Sequence, residues 1–399
     1  MRLLFLTPQL PYPPHKGTAI RNYNLIAGLA QRHEIDLLTF ADAPPGKASP
    51  LSSRCRRVET LSAPVRSLTR RALATLLSPL PDMALRLWQP RFAKRLGAWL
   101  AERNYHVIQI EGIEMARYGL LARNWAGRAR LVFDDHNAEW LLQWRAYQAE
   151  RQLGGWSAGA IYSLIQTWKL KRFERAVCRA VDRIVAVSTL DADAIRRLDP
   201  ALRVAVVTNG VDTQHYRPGV VAPFEFGAPA IVFTGTMDFR PNVDAALWFV
   251  ARAWPQVRAA IPSAQFWIVG QRPHARLDAL RGRDDVRITG GVEDVRPYLL
   301  GASACAIPLR MGGGTRLKVL EAMALGAPIV TTSLGIDGFD VAHEREVVIA
   351  DDPDRFAGEI VRLVGDAGRR RALGERGRQF VVARYDWRDI VPEMEAVYE

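Results

Sequence analysis

Residues Pro308 to Thr332 read PLRMGGGTRLKVLEAMALGAPIVTT. Three glycines, Gly312, Gly313 and Gly314, precede Thr315, a residue suited to cap a helix, and Leu317, Leu320 and Ala324 then recur at helical spacing. Gly326 suits the left-handed position after a helix, Pro328 forbids continuation, and the β-branched run from Ile329 to Thr332 reads as a buried strand. The stretch therefore predicts a glycine-rich loop, a helix and a strand in succession. Glycines let a ligand approach backbone N–H groups, and the open N–H groups and dipole of a helix N-terminus draw an anion. Arg316 and Lys318 add positive charge at the same end, so a diphosphate is the expected guest. Glu321 sits among Val319, Leu320, Ala322 and Met323, where a carboxylate needs donors. Two ribose hydroxyls would supply them, and so would a salt bridge to Arg316 or Lys318; the residues alone leave both readings open.

Outward from this stretch, the second half of the chain shows short apolar runs at Ile231 to Thr234, Gln265 to Val269, Val286 to Thr289 and Ala304 to Pro308. Each ends in glycine or proline, and helical stretches separate them (Val243 to Ala260, His274 to Arg281, Val295 to Gly301). That alternation predicts a parallel sheet wrapped by helices. The first half begins the same way, with a strand from Arg2 to Thr7, a loop from Pro8 to Gly17, an amphipathic helix from Thr18 to Arg32 and a strand from Ile35 to Phe40. Further strands are expected at Tyr105 to Ile110, Arg130 to Phe133, Asp182 to Ser188 and Val204 to Val207. Such sheets bind ligands at the carboxyl ends of their strands, where Gly17 lies, so its N–H is a candidate phosphate donor. A turn glycine in a proline-rich loop is the alternative.

The run Leu320 to Val330, LEAMALGAPIV, resembles the second half of the nucleotide-sugar motif of glycosyltransferase family 4. Thr208 to Pro218, TNGVDTQHYRP, resembles the linker of that family, and the segment from Tyr385-Asp386-Trp387 onward resembles its terminal helix. The resemblance implies an α/β protein of GT-B fold, with two Rossmann-like domains facing each other across a cleft. They would be an acceptor-side domain over residues 1–218, on which the helix 385–399 packs back, and a nucleotide-sugar domain over 219–384. The implied activity is metal-independent, retaining hexosyl transfer from a nucleotide-diphosphate sugar to a lipid-linked or glycan acceptor in cell-surface glycan synthesis, with no cofactor.

The same resemblance distributes roles. Arg316 and Lys318 would stabilise the leaving diphosphate. His136, past the strand that ends in Asp134-Asp135, would hydrogen-bond a sugar hydroxyl or steady developing charge; a structural or capping histidine is the alternative. Donor contacts would come from Gly17 with Lys16 and Thr18, from Gly235, Arg240, Gly313, Gly314, Thr315 and Glu321, and from Gly291 and Val292 toward the base. The family usually carries a first glutamate eight positions before the second, and Gly313 stands there. Backbone N–H groups of Gly312 to Thr315 would replace it. Thr236 and Pro241-Asn242 stand where members commonly have Arg and Lys-Gly, as in a subgroup associated with exopolysaccharide and exosortase loci.

Composition agrees with such a reading and excludes others. A chain of 399 residues, 49% hydrophobic, can bury two cores, and a net charge of +12 favours phosphate-bearing substrates or an anionic membrane surface. Three widely spaced cysteines, Cys55, Cys178 and Cys305, suit a reducing, cytoplasmic setting. No zinc spacing or ribonucleoprotein signature favours nucleic acid, and no G-x-G-x-x-G after a strand favours a dinucleotide oxidoreductase. The N-terminal apolar run, Leu3 to Leu6, is too short for a signal peptide, so any membrane contact would be peripheral. Between Arg54 and Arg103, eleven basic residues face three acidic ones, with leucines interleaved, and Trp140 to Trp168 is aromatic-rich before a basic run. The first suits helices on an anionic bilayer, a site for an anionic acceptor or a solvated face; the second suits an interfacial helix, packing between helices or an acceptor groove. Asp191-Asp193 and Asp352-Asp354 read as helix caps rather than metal ligands. A nucleotide-sugar epimerase of the same architecture and a non-catalytic membrane-associated partner are the competing functions.

Overall fold

The computed structural model describes residues 1–399 apart from 15, 44, 45, 47, 48 and 313–315, with backbone alone for 152–154. The chain divides into two compact units, Met1–Asn209 with Trp387–Glu399, and Gly210–Asp386. Each is built on one parallel sheet.

In the first unit the strands are β1 (Arg2–Thr7), β2 (Glu34–Phe40), β3 (Arg57–Leu61), β4 (Val107–Glu111), β5 (Arg130–Asp135), β6 (Arg183–Ala186) and β7 (Val204–Val206), in the order β3-β2-β1-β4-β5-β6-β7. In β1, β2, β4 and β5 the near-continuous burial is that of strands covered on both faces. Alternation along β1 divides the side chains: Leu4 and Leu6 join the core that holds Ile108, Ile110 and Phe133, whereas Leu3 and Phe5 join the opposite core with Leu37, Val107 and Val132. That second core takes in the Gly17–Leu29 helix and the Trp387–Val397 helix, which pack on each other through Leu25, Ile26, Leu29, Ile390, Val391 and Met394. Helices Glu139–Gly154 and Ala158–Ala180 form a long hairpin.

In the second unit the strands are β8 (Ala230–Thr234), β9 (Gln265–Val269), β10 (Val286–Gly290), β11 (Ala304–Ile307), β12 (Ile329–Thr331) and β13 (Val348–Ile349), in the order β10-β9-β8-β11-β12-β13. The expected helix Val243 to Ala260 begins at Arg240 and passes through a π-helical turn, Phe249–Ala253, just before Pro255, whose missing N–H and ring do not fit a regular turn.

The units part at Asn209, earlier than the Gly219 break read from the sequence. Val211 N–H donates to the Tyr385 carbonyl at 2.8 Å, Val211 bridges Asp386, and the Thr213 hydroxyl donates to the Asp386 carboxylate. These contacts tie Gly210 to Pro218 to the second sheet's unit. The basic segment Arg54 to Arg103 holds an edge strand, β3, besides its helices, which the sequence reading did not foresee.

Candidate active site

Each sheet reverses its strand order once, at β1/β4 and at β8/β11, and ligands of such sheets bind beyond the strands' carboxyl ends at that point. A cluster of polar side chains stands at that end of each sheet.

In the second unit Gly235 follows β8. A Cβ there would stand 2.7 Å from Asn242 Nδ2 and 2.8 Å from Lys318 Nζ, so glycine alone admits both side chains. Lys318, from the Leu317–Ala324 helix, donates to Asn242 Oδ1 at 2.7 Å and lies 4.3 Å from the centre of the Phe233 ring. Burial first and the Arg316 charge second pull its pKa down to about 7, against a smaller lift from Glu321. Arg316 is buried at the head of the same helix, and its Nη1 is 3.3 Å from where a Gly312 Cβ would stand. Glu321 accepts from the Tyr216 hydroxyl at 3.2 Å, and burial raises its pKa against the opposing pull of Tyr216 and Lys318. Lys318 and Gly235 are thus brought together, and Arg316 and Glu321 act electrostatically on the same amine. Arg240 is the exposed first residue of the Arg240–Trp248 helix, and exposed Gly291 and half-buried Val292 follow β10, with a Gly291 Cβ 3.5 Å from Gln271 Cβ. Gly313, Gly314 and Thr315 lie outside the described residues. Arg316 takes the helix-capping position at which the sequence placed Thr315.

In the first unit His136, 12% exposed, shares a 2.6 Å hydrogen bond from Nε2 to Glu111 Oε2. Glu111 ends β4 and Asp134 lies beside it in register on β5, so two buried carboxylates meet. Arg21, buried on the Gly17–Leu29 helix, gives Nε to Asp134 Oδ2 at 2.8 Å and Nη1 to the Thr208 carbonyl and Asn209 Oδ1, both at 3.1 Å. With its amide turned so that nitrogen faces the carboxylate, Asn22 donates to Glu111 Oε2 at 2.6 Å. Gln109 donates to Glu111 Oε1 at 3.0 Å. Burial alone would lower the His136 pKa, but the bond to Glu111 and the charges of Asp134 and Glu111 outweigh it, and the net direction is up. Burial first and the Asp134 charge second raise the Glu111 pKa as well, so two carboxylates against one fixed guanidinium favour a proton on the Glu111–His136 pair.

Glu111, Asp134 and His136 place ligand-type atoms within 4.8 Å of one another, yet Arg21, Asn22 and their own mutual bond already engage them. Asp191 accepts from Ser188 Oγ and from Ala138 N–H, and Asp352 caps the Pro353–Gly365 helix. Gly17 is the exposed first residue of its helix, with Lys16 at the cap. The sequence reading did not assign Arg21, Asn22, Glu111, Asn242 or Tyr216 to a site, and treated Asp134 only as a strand end. A charged residue on the apolar face of the first helix was the one available signal for Arg21.

Residues 15–215 match the family model described as Glycosyltransferase Family 4, and residues 228–366 match that described as Glycosyl transferases group 1. A GDP-mannose-dependent alpha-(1-6)-phosphatidylinositol monomannoside mannosyltransferase of Mycobacterium tuberculosis is 27% identical over 249 residues, 55% of this chain and 63% of that enzyme. The match thus spans under two thirds of that relative's length. Among solved structures, sucrose-phosphate synthase of Thermosynechococcus elongatus superposes with TM-score 0.76 at 20% identity, covering 100% of this chain and 98% of that one. Anabaena HepE in complex with UDP and glucose superposes with TM-score 0.66 at 16% identity, covering 99% and 98%. These likenesses give the two-sheet architecture as the GT-B fold.

Proposed function

Because the chain belongs to glycosyltransferase family 4, we propose that it moves a hexose from a nucleotide-diphosphate sugar to a lipid-linked or polysaccharide acceptor in cell-surface glycan synthesis, with retention at the anomeric carbon. The observation that carries this reading is Lys318. Its amine donates to the neutral Asn242 at the head of a helix, and burial first and the charge of Arg316 second hold its pKa near 7. An arriving diphosphate would restore full charge to that amine, so donor binding would take up protons around neutral pH. Fixed cations at the leaving group stabilise charge as the glycosidic bond breaks, with no reorganisation at that moment.

The leaving phosphate would accept the acceptor's proton, and His136 is the first unit's candidate hydrogen-bond donor to a sugar hydroxyl. Glu321, held by Tyr216, accepts from the ribose. The two cations do the work that a divalent ion would otherwise do, so turnover is expected to be indifferent to Mg²⁺. A lipid-linked acceptor would bring the protein to a membrane surface, which its net charge of +12 suits.

Calorimetry with UDP, GDP, ADP, TDP and their common sugars, with and without Mg²⁺, tests the reading. One nucleotide should bind selectively, and Glu321→Ala or Lys318→Ala should weaken it by roughly tenfold to a hundredfold, the range for one or two lost charge-assisted bonds. A relative named for GDP-mannose and a fold neighbour holding UDP differ in base, so the panel decides between them. Failure of every nucleotide to bind would overturn the proposal.

A further inference from the structure

The helix Leu68–Leu77 is inside out. Thr75 is buried, Arg71 and Ala74 are half-buried, and these line the side turned to the protein, whereas Leu68, Leu73, Leu76 and Leu77 are 58 to 79% exposed on the other. An ordinary surface helix turns its leucines inward. The inversion is held by polar contacts. Lys169, buried on the Ala158–Ala180 helix, gives its amine to the carbonyls of Thr75 and Ser78, each at 2.6 Å, closing the helix's C-terminal end. Gln166 of the same helix donates to the Thr75 hydroxyl at 3.4 Å and accepts from Asp82 N–H at 2.8 Å. Asp82, buried, receives Arg66 at 2.8 Å and Arg71 at 3.0 Å. This clasp fixes the helix while directing none of its leucines into a core.

We propose that this face is the protein's docking surface for an anionic lipid bilayer, into whose interface the four leucines insert. Charge decides the occupant. Arg70 is exposed on the helix itself, and the adjoining Ala158–Ala180 helix exposes Ile161 and Trp168 beside Lys171 and Arg172, with Arg172 lying 4.8 Å from the Trp168 ring. Apolar side chains framed by cations and an indole are the pattern of an interfacial helix, whose stems bury in the acyl boundary while the charges meet phosphate. A second copy of this chain would bring the same cations against each other. Among the described residues no helix is long and apolar enough to cross a membrane, so attachment is from one side. The assignment deepens the peripheral reading of the proposed function, yet rests on surface geometry and not on transfer chemistry.

The test is flotation of the full chain with vesicles of phosphatidylcholine alone or with about a third phosphatidylglycerol, at low and high salt, with nucleotide binding measured on the same preparations. The wild type should float with the anionic vesicles at low salt, and Leu73→Ser/Leu76→Ser/Leu77→Ser should cut the bound fraction about tenfold or more while leaving nucleotide binding unchanged. Trp168→Ser, outside the helix, should give a smaller loss in the same direction. A wild type that stays in solution, or a triple variant that floats as well as the wild type, would overturn the assignment. So would sedimentation showing a dimer that the triple variant breaks, since a second copy would then cover the face. Vesicle binding and nucleotide binding are separate readouts, so either proposal can fail alone.

Discussion

The direction of the His136 pKa follows from its neighbours. Glu111 and Asp134 are buried side by side, Arg21 answers one of them, and the remaining negative charge raises the imidazole pKa against the effect of burial. A histidine raised above its ordinary 6.5 contributes stability that is fully present below that value and is lost as pH rises through the folded pKa. The protonated state that would serve the sugar disappears over the same interval. Glu111→Gln should therefore lower the His136 pKa, and the alkaline limb of turnover should move down with it. Titration of the imidazole C–H resonance alongside a pH–rate profile checks this; an unmoved resonance would mean that Asp134 alone sets the charge. Sequence pointed to His136 because it follows a strand end, but not to its partners. Glu111 is 25 residues away and Arg21 lies 113 residues before Asp134, so only the sheet order joins them.

At the scale of elements, the start of the Glu139–Gly154 helix hangs on a carboxylate from its hairpin partner. Glu174 accepts from the N–H groups of Glu139 and Trp140 at 2.9 and 2.8 Å, a cap supplied from another helix. Beneath it Asp135 ends β5 fully buried, its pKa pushed well up by burial and by the charges of Glu174 and Glu139. Burial carries Glu174 and Glu139 each up to about 8. Carboxyl groups raised in this way hold protons in the folded state that the unfolded chain releases. The first unit should thus lose stability as pH rises from near 4.5 toward 8, the reverse of a salt-bridged carboxylate. Asp135→Asn removes the charge and keeps a donor for Glu174. Its melting temperature should exceed the wild type's by a few degrees at pH 8.5 and match it near pH 5, as differential scanning calorimetry would read. Equal curves at both values would show that the group ionises without cost. Such a cluster is invisible in sequence, where Asp134-Asp135 reads as the end of a strand. The strands themselves were legible wherever apolar runs are buried on both faces, as in β1 and β9. β3 was not, because an edge strand reading RVETL, half-buried throughout, carries the charge pattern of a loop.

For the molecule as a whole, the path of the chain makes the two units unequal. The second is one continuous segment whose ends meet: Val211 and Asp386 bridge, and Thr213 closes on Asp386. The first is completed only after the chain returns, when Trp387, Ile390, Val391 and Met394 fill the core beside Leu25, Ile26 and Leu29. The fit there is close, since a Cβ on Gly28 would stand 2.6 Å from Val391 Cγ2. The linker motif and the terminal segment marked both crossings in the sequence; what it could not mark is which side each flanking residue joins, a matter of tertiary hydrogen bonds at Val211 and Tyr385. The inequality has a consequence for dissection. A fragment spanning Gly210 to Asp386 keeps its whole sheet, Lys318, Arg316, Glu321 and Tyr216, so it should fold alone and bind the preferred nucleotide within about threefold of the full chain, a difference of under 1 kcal/mol. A chain ending at Asp386 should instead lose the first unit's melting transition. Four large buried side chains at about 1.5–3 kcal/mol each amount to a domain's typical net stability, and the exposed Gly17–Leu29 helix face would add to the loss. Calorimetry on the two truncations separates the cases: a fragment that aggregates, or that melts without binding, would show that nucleotide recognition needs residues of the first unit.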